Sequence, residues 1–205
     1  MLQGNMEKIQ QHGKRADGIV QSMLDHSRES DVDIQEVDIN SLVGEALNLA
    51  YHGARSSNSN FNVTLEQDLD DKAGTLAGQP QDLMRVFLNL AGNAIHATNK
   101  RREEGGDPAY VPTISLTTRD LKNEVEITLK DNGTGMPPEV KDKIFQPFFT
   151  TKPAGEGTGL GLSISYDIVV QAHKGGFEVE SEPGEFTLFR ITLPRAGQSV
   201  DGTAD

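Results

Sequence analysis

The segment QDLMRVFLNLAGNAIHAT, residues 81–98, decides how the rest of the chain is read. Its apolar residues Leu83, Val86, Phe87, Leu90, Ala94 and Ala97 recur at spacings of three and four, which predicts a helix over Gln81 to Lys100. Asn89 and Asn93 stand one helical turn apart, and Arg85 lies one turn before them on the same face. Asparagine is a mediocre helix former because its amide competes for the backbone, so two inside an apolar helix need a reason. One reason is burial with satisfied hydrogen bonds. The other is a hard cation: Mg²⁺ takes oxygen ligands and keeps waters and phosphate oxygens in its shell, and a neutral amide oxygen holds it without repelling a polyphosphate.

Downstream of this helix, Thr113 to Thr118 and Glu124 to Lys130 alternate as paired strands. The second strand runs into DNGTGMP, in which Asp131 precedes Gly133 and Gly135. Glycines at alternate positions let the backbone approach a flat ligand closely. A carboxylate only accepts, so Asp131 suits the amino group of adenine and would repel the carbonyl of guanine; Asp-Asn-Gly is equally an ordinary turn sequence. The stretch IFQPFFTTK then joins Phe145, Phe148 and Phe149 to Lys152. It reads either as a lid anchored by aromatics, with Lys152 facing a terminal phosphate, or as core packing and a surface charge. EGTGLGLS follows, with Gly157, Thr158, Gly159, Leu160, Gly161 and Leu162 leading into a helix from about Gly159 to Ala172. Backbone amides at a Gly-rich helix start favour anions, yet the string is neither a Walker A nor a Rossmann pattern. Two strands, Gly176 to Ser181 and Phe186 to Leu193, close the pattern.

Upstream, Phe61, Val63 and Leu65 alternate as in a half-buried strand, and a helix through Val43, Ala46, Leu47 and Ala50 is expected, capped by Asp38 or Asn40. The opening residues, Leu2 to about Ser30, carry a narrow apolar stripe at Met6, Ile9, Ala16, Ile19, Val20, Met23 and Leu24, which predicts one long amphipathic helix in need of a partner helix. The expected organisation is therefore a helix over 1–31, a domain over 32–195 and a mobile tail over 196–205. The fold class is α+β, an antiparallel or mixed sheet covered by helices on one face.

Composition narrows the function further. A net charge of -12 disfavours broad nucleic-acid binding and means that any nucleotide must be held by a local cation, backbone dipoles or a metal. With no cysteine the chain has no disulfide, thiolate zinc site or cysteine nucleophile, a usage compatible with the reducing cytosol. No apolar run reaches the roughly 20 residues that span a bilayer, so no membrane contact is expected of this chain. His52, His96 and His173 lack the spacing of metal ligands.

Taken in order, an asparagine-bearing helix, Asp-x-Gly-x-Gly, a Phe-rich lid, Gly-x-Gly-x-Gly and a final hairpin resemble the asparagine, first glycine, phenylalanine and second glycine boxes of histidine kinases in the GHKL ATPase superfamily. The resemblance covers residues 33 to 194. It implies the Bergerat fold, a two-layer α/β sandwich with ATP between helices and sheet, here preceded by the long N-terminal helix. It further implies that Asn93 holds Mg²⁺ and Asp131 selects adenine. The glycines and Lys152 would embrace the phosphates with help from Asn89, and Phe145 and Thr187 would belong to the nucleotide site. Related GHKL ATPases carry a water-activating Glu where this chain has Asn89, so the resemblance implies phosphotransfer in preference to hydrolysis.

The opening segment resembles the second helix of a dimerisation and phosphoacceptor hairpin, in the subgroup whose catalytic domains read LAYHG and IFQPFFTTKP. The acceptor helix is expected to be missing from this chain: His12, followed by Gly-Lys-Arg, and His26, followed by Ser-Arg, do not match the acceptor pattern. The implied partners are ATP, that acceptor helix and a response regulator receiver domain, with a homodimer in a cytoplasmic or membrane-attached full-length parent. A non-catalytic nucleotide-binding module of the same fold and a GHKL ATPase are the alternatives. Two departures from the family stand out: Lys174 replaces the first glycine of the commoner His-Gly-Gly, and Phe186 sits where the last motif has a second glycine.

Overall fold

The computed structural model describes Gly13 and residues 34–57, 61–105, 107–153 and 157–195. The expected opening helix, apart from Gly13, which is helical, and the expected tail lie outside the described residues.

Strands β1 (Gln35–Asp38) and β3 (Thr75–Gly78) form a small antiparallel pair. Strands β2 (Thr64–Leu69), β4 (Thr113–Asp120), β5 (Glu124–Asp131), β6 (Gly176–Glu182) and β7 (Phe186–Pro194) form one sheet in the order β2-β4-β5-β7-β6. β2 runs parallel to β4 and the other pairings are antiparallel, so the sheet is mixed. Burial alternates along β4 as far as Arg119 and throughout β5 and β7. One face buries Ile114, Leu116, Val125, Ile127, Leu129, Phe189, Ile191 and Leu193. The other is polar, with Ser115 donating to Glu66 and Arg190 bridging Glu126, Glu178 and Glu180. This alternation is that of a sheet with one covered face, and the result is the two-layer sandwich of the expected class.

Two long helices cover the apolar face. Helix α1 (Ile39–Ser57) buries Ile39, Leu42, Val43, Ala46 and Leu47. Asp38 caps it, its Oδ1 accepting from the Ser41 N–H at 2.8 Å. Asn40, the other candidate cap, instead donates to the Asp70 carbonyl and accepts from the buried Thr118 hydroxyl at 2.8 Å, tying α1 to the sheet. Helix α2 (Pro80–Glu104) starts with proline at its first position, where a missing N–H costs nothing, and ends with Arg101 and Arg102 in its last turn, where they oppose the helix dipole. Its buried stripe is Leu83, Val86, Phe87, Leu90, Ala91, Ala94 and Ile95.

A short helix α3 (Pro138–Lys141) precedes the Phe-rich stretch, and α4 (Gly161–Tyr166) follows it. The helix expected to run unbroken to Ala172 widens into a π-helix over Asp167–Ala172. His173 closes it: its backbone N–H bonds Ile168 O five residues back. Its ring Nδ1 also lies 2.9 Å from that carbonyl, while Nε2 accepts from the Gln79 N–H at the start of α2. The next residue, Lys174, has φ 55°, the left-handed conformation that the family's glycine would adopt without strain. Phe186 faces away from the core side, its ring 4.7 Å from Lys130 Nζ.

Lys174→Gly is expected to stabilise the domain by about 0.5–1 kcal/mol, the relief of left-handed strain exceeding the added freedom of the unfolded chain. Thermal denaturation would show this as a rise in Tm of roughly 1–4 °C; an unchanged or lowered Tm would mean that the lysine is not strained there.

Candidate functional site

The cleft lies between α2, the ends of β5 and β7, and the stretch from α3 to α4, with a volume of about 670 Å³. Helix α2 forms one wall. Its apolar stripe is committed to the core, so the residues beside that stripe, Asn89, Asn93, His96, Lys100 and Glu103, face the cleft at spacings of four, three, four and three. Arg85, on the same stripe one turn earlier, is not among the lining residues.

The sheet supplies the floor. Asp131 is the last residue of β5 and stands opposite Thr187 in the antiparallel register, so their side chains emerge side by side on the helix-covered face. Both are buried and both line the cleft. Asp131 is 2% exposed, yet it accepts one hydrogen bond among the described residues, from the Gly133 N–H at 2.8 Å. Burial therefore raises its pKa from 3.8 to about 7, with the Gly133 N–H pulling the other way. The Thr187 hydroxyl is 3.1 Å from Ser181 Oγ, which donates to Phe186 O and accepts from Met136 N.

The glycines of the turn after Asp131 serve packing. A Cβ on Gly133 would lie 2.6 Å from Ala97 of α2, and one on Gly135, which has φ 59°, would collide with the Glu182 carbonyl. Gly135 lines the cleft and Gly133 does not. The requirement for glycine is met here by close approach of helix and hairpin to the turn.

The third wall is the Phe-rich stretch, and its three phenylalanines divide. Phe149 lines the cleft. Phe145 packs in an aromatic cluster with Tyr166 and Phe177, each 5.0 Å away between ring centroids, and is not a lining residue. Phe148 has φ 67° and is 43% exposed. Lys152 lines the cleft and its Nζ donates to Asn93 Oδ1 at 3.2 Å. An ammonium thus sits against the amide oxygen that the sequence reading assigned to a cation. Gly157, Thr158, Gly159, Gly161 and Leu162 complete the lining, whereas Leu160 is buried beneath them. Residues 154–156, between Pro153 and Gly157, lie outside the described residues. Asn89 donates through Nδ2 to the Ser165 hydroxyl at 3.0 Å, and its Oδ1 lies so close to Gly161 that a Cβ there would collide with it. Asn89 thereby joins α2 to the start of α4.

Sequence reading did not single out His96, Asn99, Lys100, Thr150 or Ser181 for this site. The first three were legible, because positions three, six and seven beyond Asn93 flank the same helical face. Thr150 and Ser181 arrive through loop and hairpin geometry that no spacing encodes. Of the other histidines, His52 packs edge-on against Tyr51 and His173 holds the π-helix; neither lines the cleft. No group of three or more potential His, Cys, Asp or Glu metal ligands occurs among the described residues, and no described helix is long and apolar enough to cross a membrane.

Comparison with known proteins places this geometry. Residues 78–197 match the family model described as histidine kinase-, DNA gyrase B- and HSP90-like ATPase. The chain is 34% identical over 182 residues to sporulation kinase E of Bacillus subtilis, a match covering 88% of this chain and 22% of that protein. It is 31% identical over 188 residues to the sensor histidine kinase ZraS of Salmonella typhimurium, covering 91% of this chain and 37% of that protein. The chain thus spans well under half the length of these relatives. Among solved structures, the catalytic domain of the histidine kinase ThkA superposes with a TM-score of 0.64 at 29% identity, over 80% of this chain and 96% of that one.

The Asp131 carboxylate generates a test of its own. Its folded-state pKa lies above the unfolded value, so folding favours the protonated form. The cost of burying the charge is absent below about pH 4 and complete above about pH 7, where it amounts to about 4 kcal/mol. Asp131→Asn, which removes the charge at constant shape, is expected to raise Tm relative to the parent at pH 8 and to lose that advantage towards pH 4. A difference in Tm that stays constant across this range would show that Asp131 does not titrate in the folded state.

Proposed function

The chain belongs to the histidine kinase-, DNA gyrase B- and HSP90-like ATPase family, and on that footing we propose that it is the ATP-binding catalytic module of a sensor histidine kinase. In this reading it passes the γ-phosphoryl group of ATP to a histidine on a separate helix, for relay to a response regulator in two-component signalling. The observation that carries the proposal is the convergence on one cleft of a buried, under-bonded carboxylate, Asp131, and an amide oxygen already engaged by a cation, Asn93.

The lining residues fit Mg²⁺-ATP on the chemistry of their atoms. Asp131 offers an acceptor to the adenine amino group, and the apolar side chains of Met136, Ile144 and Phe149 give a flat base something to lie against. Asn93 would hold Mg²⁺, whose role is to neutralise phosphate charge. Lys152, now bonded to Asn93, would turn to the phosphates beside Gly157, Thr158, Gly159 and Gly161, and Thr187 would support the turn on the adenine side. Phe145 and Leu160, away from the lining, would act by packing under the lid.

Asn89 argues for transfer over hydrolysis. An amide has no basic nitrogen or oxygen with which to deprotonate water at neutral pH, and this one is committed to Ser165. Catalysis then rests on positioning and charge neutralisation, with the nucleophile brought by the acceptor helix. Residues 1–31 would contribute the second helix of the dimerising hairpin, and the full-length protein would act as a cytoplasmic or membrane-attached homodimer.

Titration calorimetry is expected to show Mg²⁺-ADP binding to the chain, weakened roughly tenfold or more by Asp131→Asn and by Asn93→Ala. Radiolabelled ATP is expected to label an added acceptor hairpin while steady hydrolysis stays low. Absence of binding, or indifference to both substitutions, refutes the site. Sustained ATP turnover without transfer would favour an ATPase instead.

A further inference from the structure

Asn89, Asn93, Ala97 and Arg101 follow one another at four-residue intervals along α2 and so form a single stripe. The first three line the cleft, and Ala97 abuts Gly133. Arg101 lies beyond the cleft and is not among its lining residues. Its Nη1 donates to the carbonyls of Asn132 at 2.8 Å, Glu185 at 3.1 Å and Gly133 at 3.4 Å. Its guanidinium lies over the ring of Tyr110, 4.6 Å from the centroid. The Tyr110 hydroxyl in turn donates to Asn132 O at 3.0 Å and is 3.1 Å from Asn132 Oδ1. That Oδ1 also accepts from Thr113 N, and Asn132 Nδ2 donates to Val111 O. One cation therefore fastens three pieces of chain to the end of the asparagine helix: the turn after Asp131, the tip of the β6–β7 hairpin and the segment entering β4.

We propose that Arg101 is a positioning residue for purine selection, clamping the turn of residues 131–135 to α2 so that the Asp131 carboxylate stands at a fixed place relative to Asn93. The inference rests on the reading of the cleft as an adenine nucleotide site. Its physical basis is that adenine and guanine differ at the recognised edge by a donor in place of an acceptor. A rigid, dry acceptor rejects the wrong base, whereas one that can shift or admit water accommodates either through a bridging molecule. The carbonyls that Arg101 collects are those of the two residues following Asp131 and of a hairpin residue two before Thr187, so releasing them frees both sides of the floor at once. Arginine suits the task because its planar guanidinium donates from one edge, here through Nη1, while its face stacks on an aromatic ring; lysine offers a compact charge without the plane. Tyr110, stacked beneath it, is the second member of the clamp.

The test compares the parent chain with Arg101→Met, which keeps the apolar stem over Tyr110 and removes the donors, with Arg101→Lys and with Tyr110→Phe. Binding of Mg²⁺-ADP and Mg²⁺-GDP is measured by calorimetry, and amide hydrogen exchange is followed across the chain. Arg101→Met is expected to weaken Mg²⁺-ADP roughly tenfold while leaving the already weak Mg²⁺-GDP nearly unchanged, so that the preference for adenine shrinks by the same factor. Exchange is expected to quicken at the amides of residues 132–136 and 184–186 and to stay as in the parent in the core strands. Arg101→Lys should recover part of the preference, and Tyr110→Phe should lose a smaller part of it.

An undiminished ADP-to-GDP ratio in folded Arg101→Met overturns the proposal. So does an equal loss for both nucleotides with faster exchange throughout, which marks a structural role only. Should Arg101→Met fail to fold, Arg101→Lys and Tyr110→Phe decide, and parental discrimination in both overturns the proposal. A parent chain that binds neither nucleotide overturns the ATP-site reading and this inference together. A parent that binds ADP, loses it in Asp131→Asn and keeps it in Arg101→Met overturns this inference alone.

Discussion

The rotation of α2 about its own axis is the constraint on which the rest depends. Successive residues of a helix are about 100° apart, so turning α2 by one position would drive Asn89 and Asn93 into the buried places of Leu90 and Ala94 and swing Phe87 out to that of half-buried Leu88. Each large apolar side chain so exposed costs about 1.5–3 kcal/mol, and each amide buried without a partner about 1–3 kcal/mol more. A domain of this size has only some 5–15 kcal/mol of net stability to lose. The hydrophobic face therefore aims the polar one. The aim reaches further than the two amides, because Ala97 and Arg101 on the same stripe receive the turn that follows β5. Core packing thus fixes the separation between the amide oxygen of Asn93 and the carboxylate of Asp131 without any bond between them.

Asp131 is the place where the fold gives up stability. A carboxylate at the end of a sheet, 2% exposed and accepting a single N–H among the described residues, is poorly compensated, and its raised pKa measures the deficit. Elsewhere the buried polar groups are satisfied: Thr118 bonds Asn40 and Asp70, Ser163 bonds Leu160 O, and Ser165 accepts from Asn89. A carboxylate with one recorded hydrogen bond, set at the wall of a cleft among otherwise bonded polar groups, is the acceptor that the proposed nucleotide reading would pair with a donor from outside. The chain's net charge of -12 sharpens the contrast, since neither the overall field nor, among the described residues, a neighbouring cation is arranged to hold this carboxylate ionised.

Most of the architecture was legible because it follows from period alone. The stripe of α2, the alternation of β4, β5 and β7, and the order of the glycine-bearing segments each map one to one onto an element. What period could not show was short or locally irregular. The pair β1 and β3, four residues each, is too brief to alternate convincingly. The strand read from Phe61, Val63 and Leu65 begins instead at Thr64, because Phe61 and Val63 are buried lead-in to an edge strand that is itself mostly exposed. The π-helix after Tyr166 keeps a helical hydrophobic pattern and is revealed only by the His173 bonds that close it. Asn89, Asn93, Asp131 and Lys152, singled out by residue type and order, and Thr187, implied by the resemblance, all line the cleft. Arg101, Tyr110 and Ser181 escaped notice because they touch backbone carbonyls and hydroxyls of other segments, contacts that leave no pattern along the chain.

The engagement of Asn93 by Lys152 joins the Phe-rich stretch to α2. An ammonium 3.2 Å from an amide oxygen makes a hydrogen bond worth about 1.5–3 kcal/mol at most in a partly buried setting. That is enough to hold the end of the Phe-rich stretch against α2, and small enough that a bound phosphate chain would break it, since phosphate would offer the same ammonium several charged acceptors. On the proposed reading, Asn93 and Lys152 would then part company in opposite senses, the amide oxygen turning to a divalent cation and the ammonium to anionic oxygen. The exchange would replace one ammonium–amide bond with an ion–dipole contact on the amide side and charge-paired contacts to phosphate on the ammonium side.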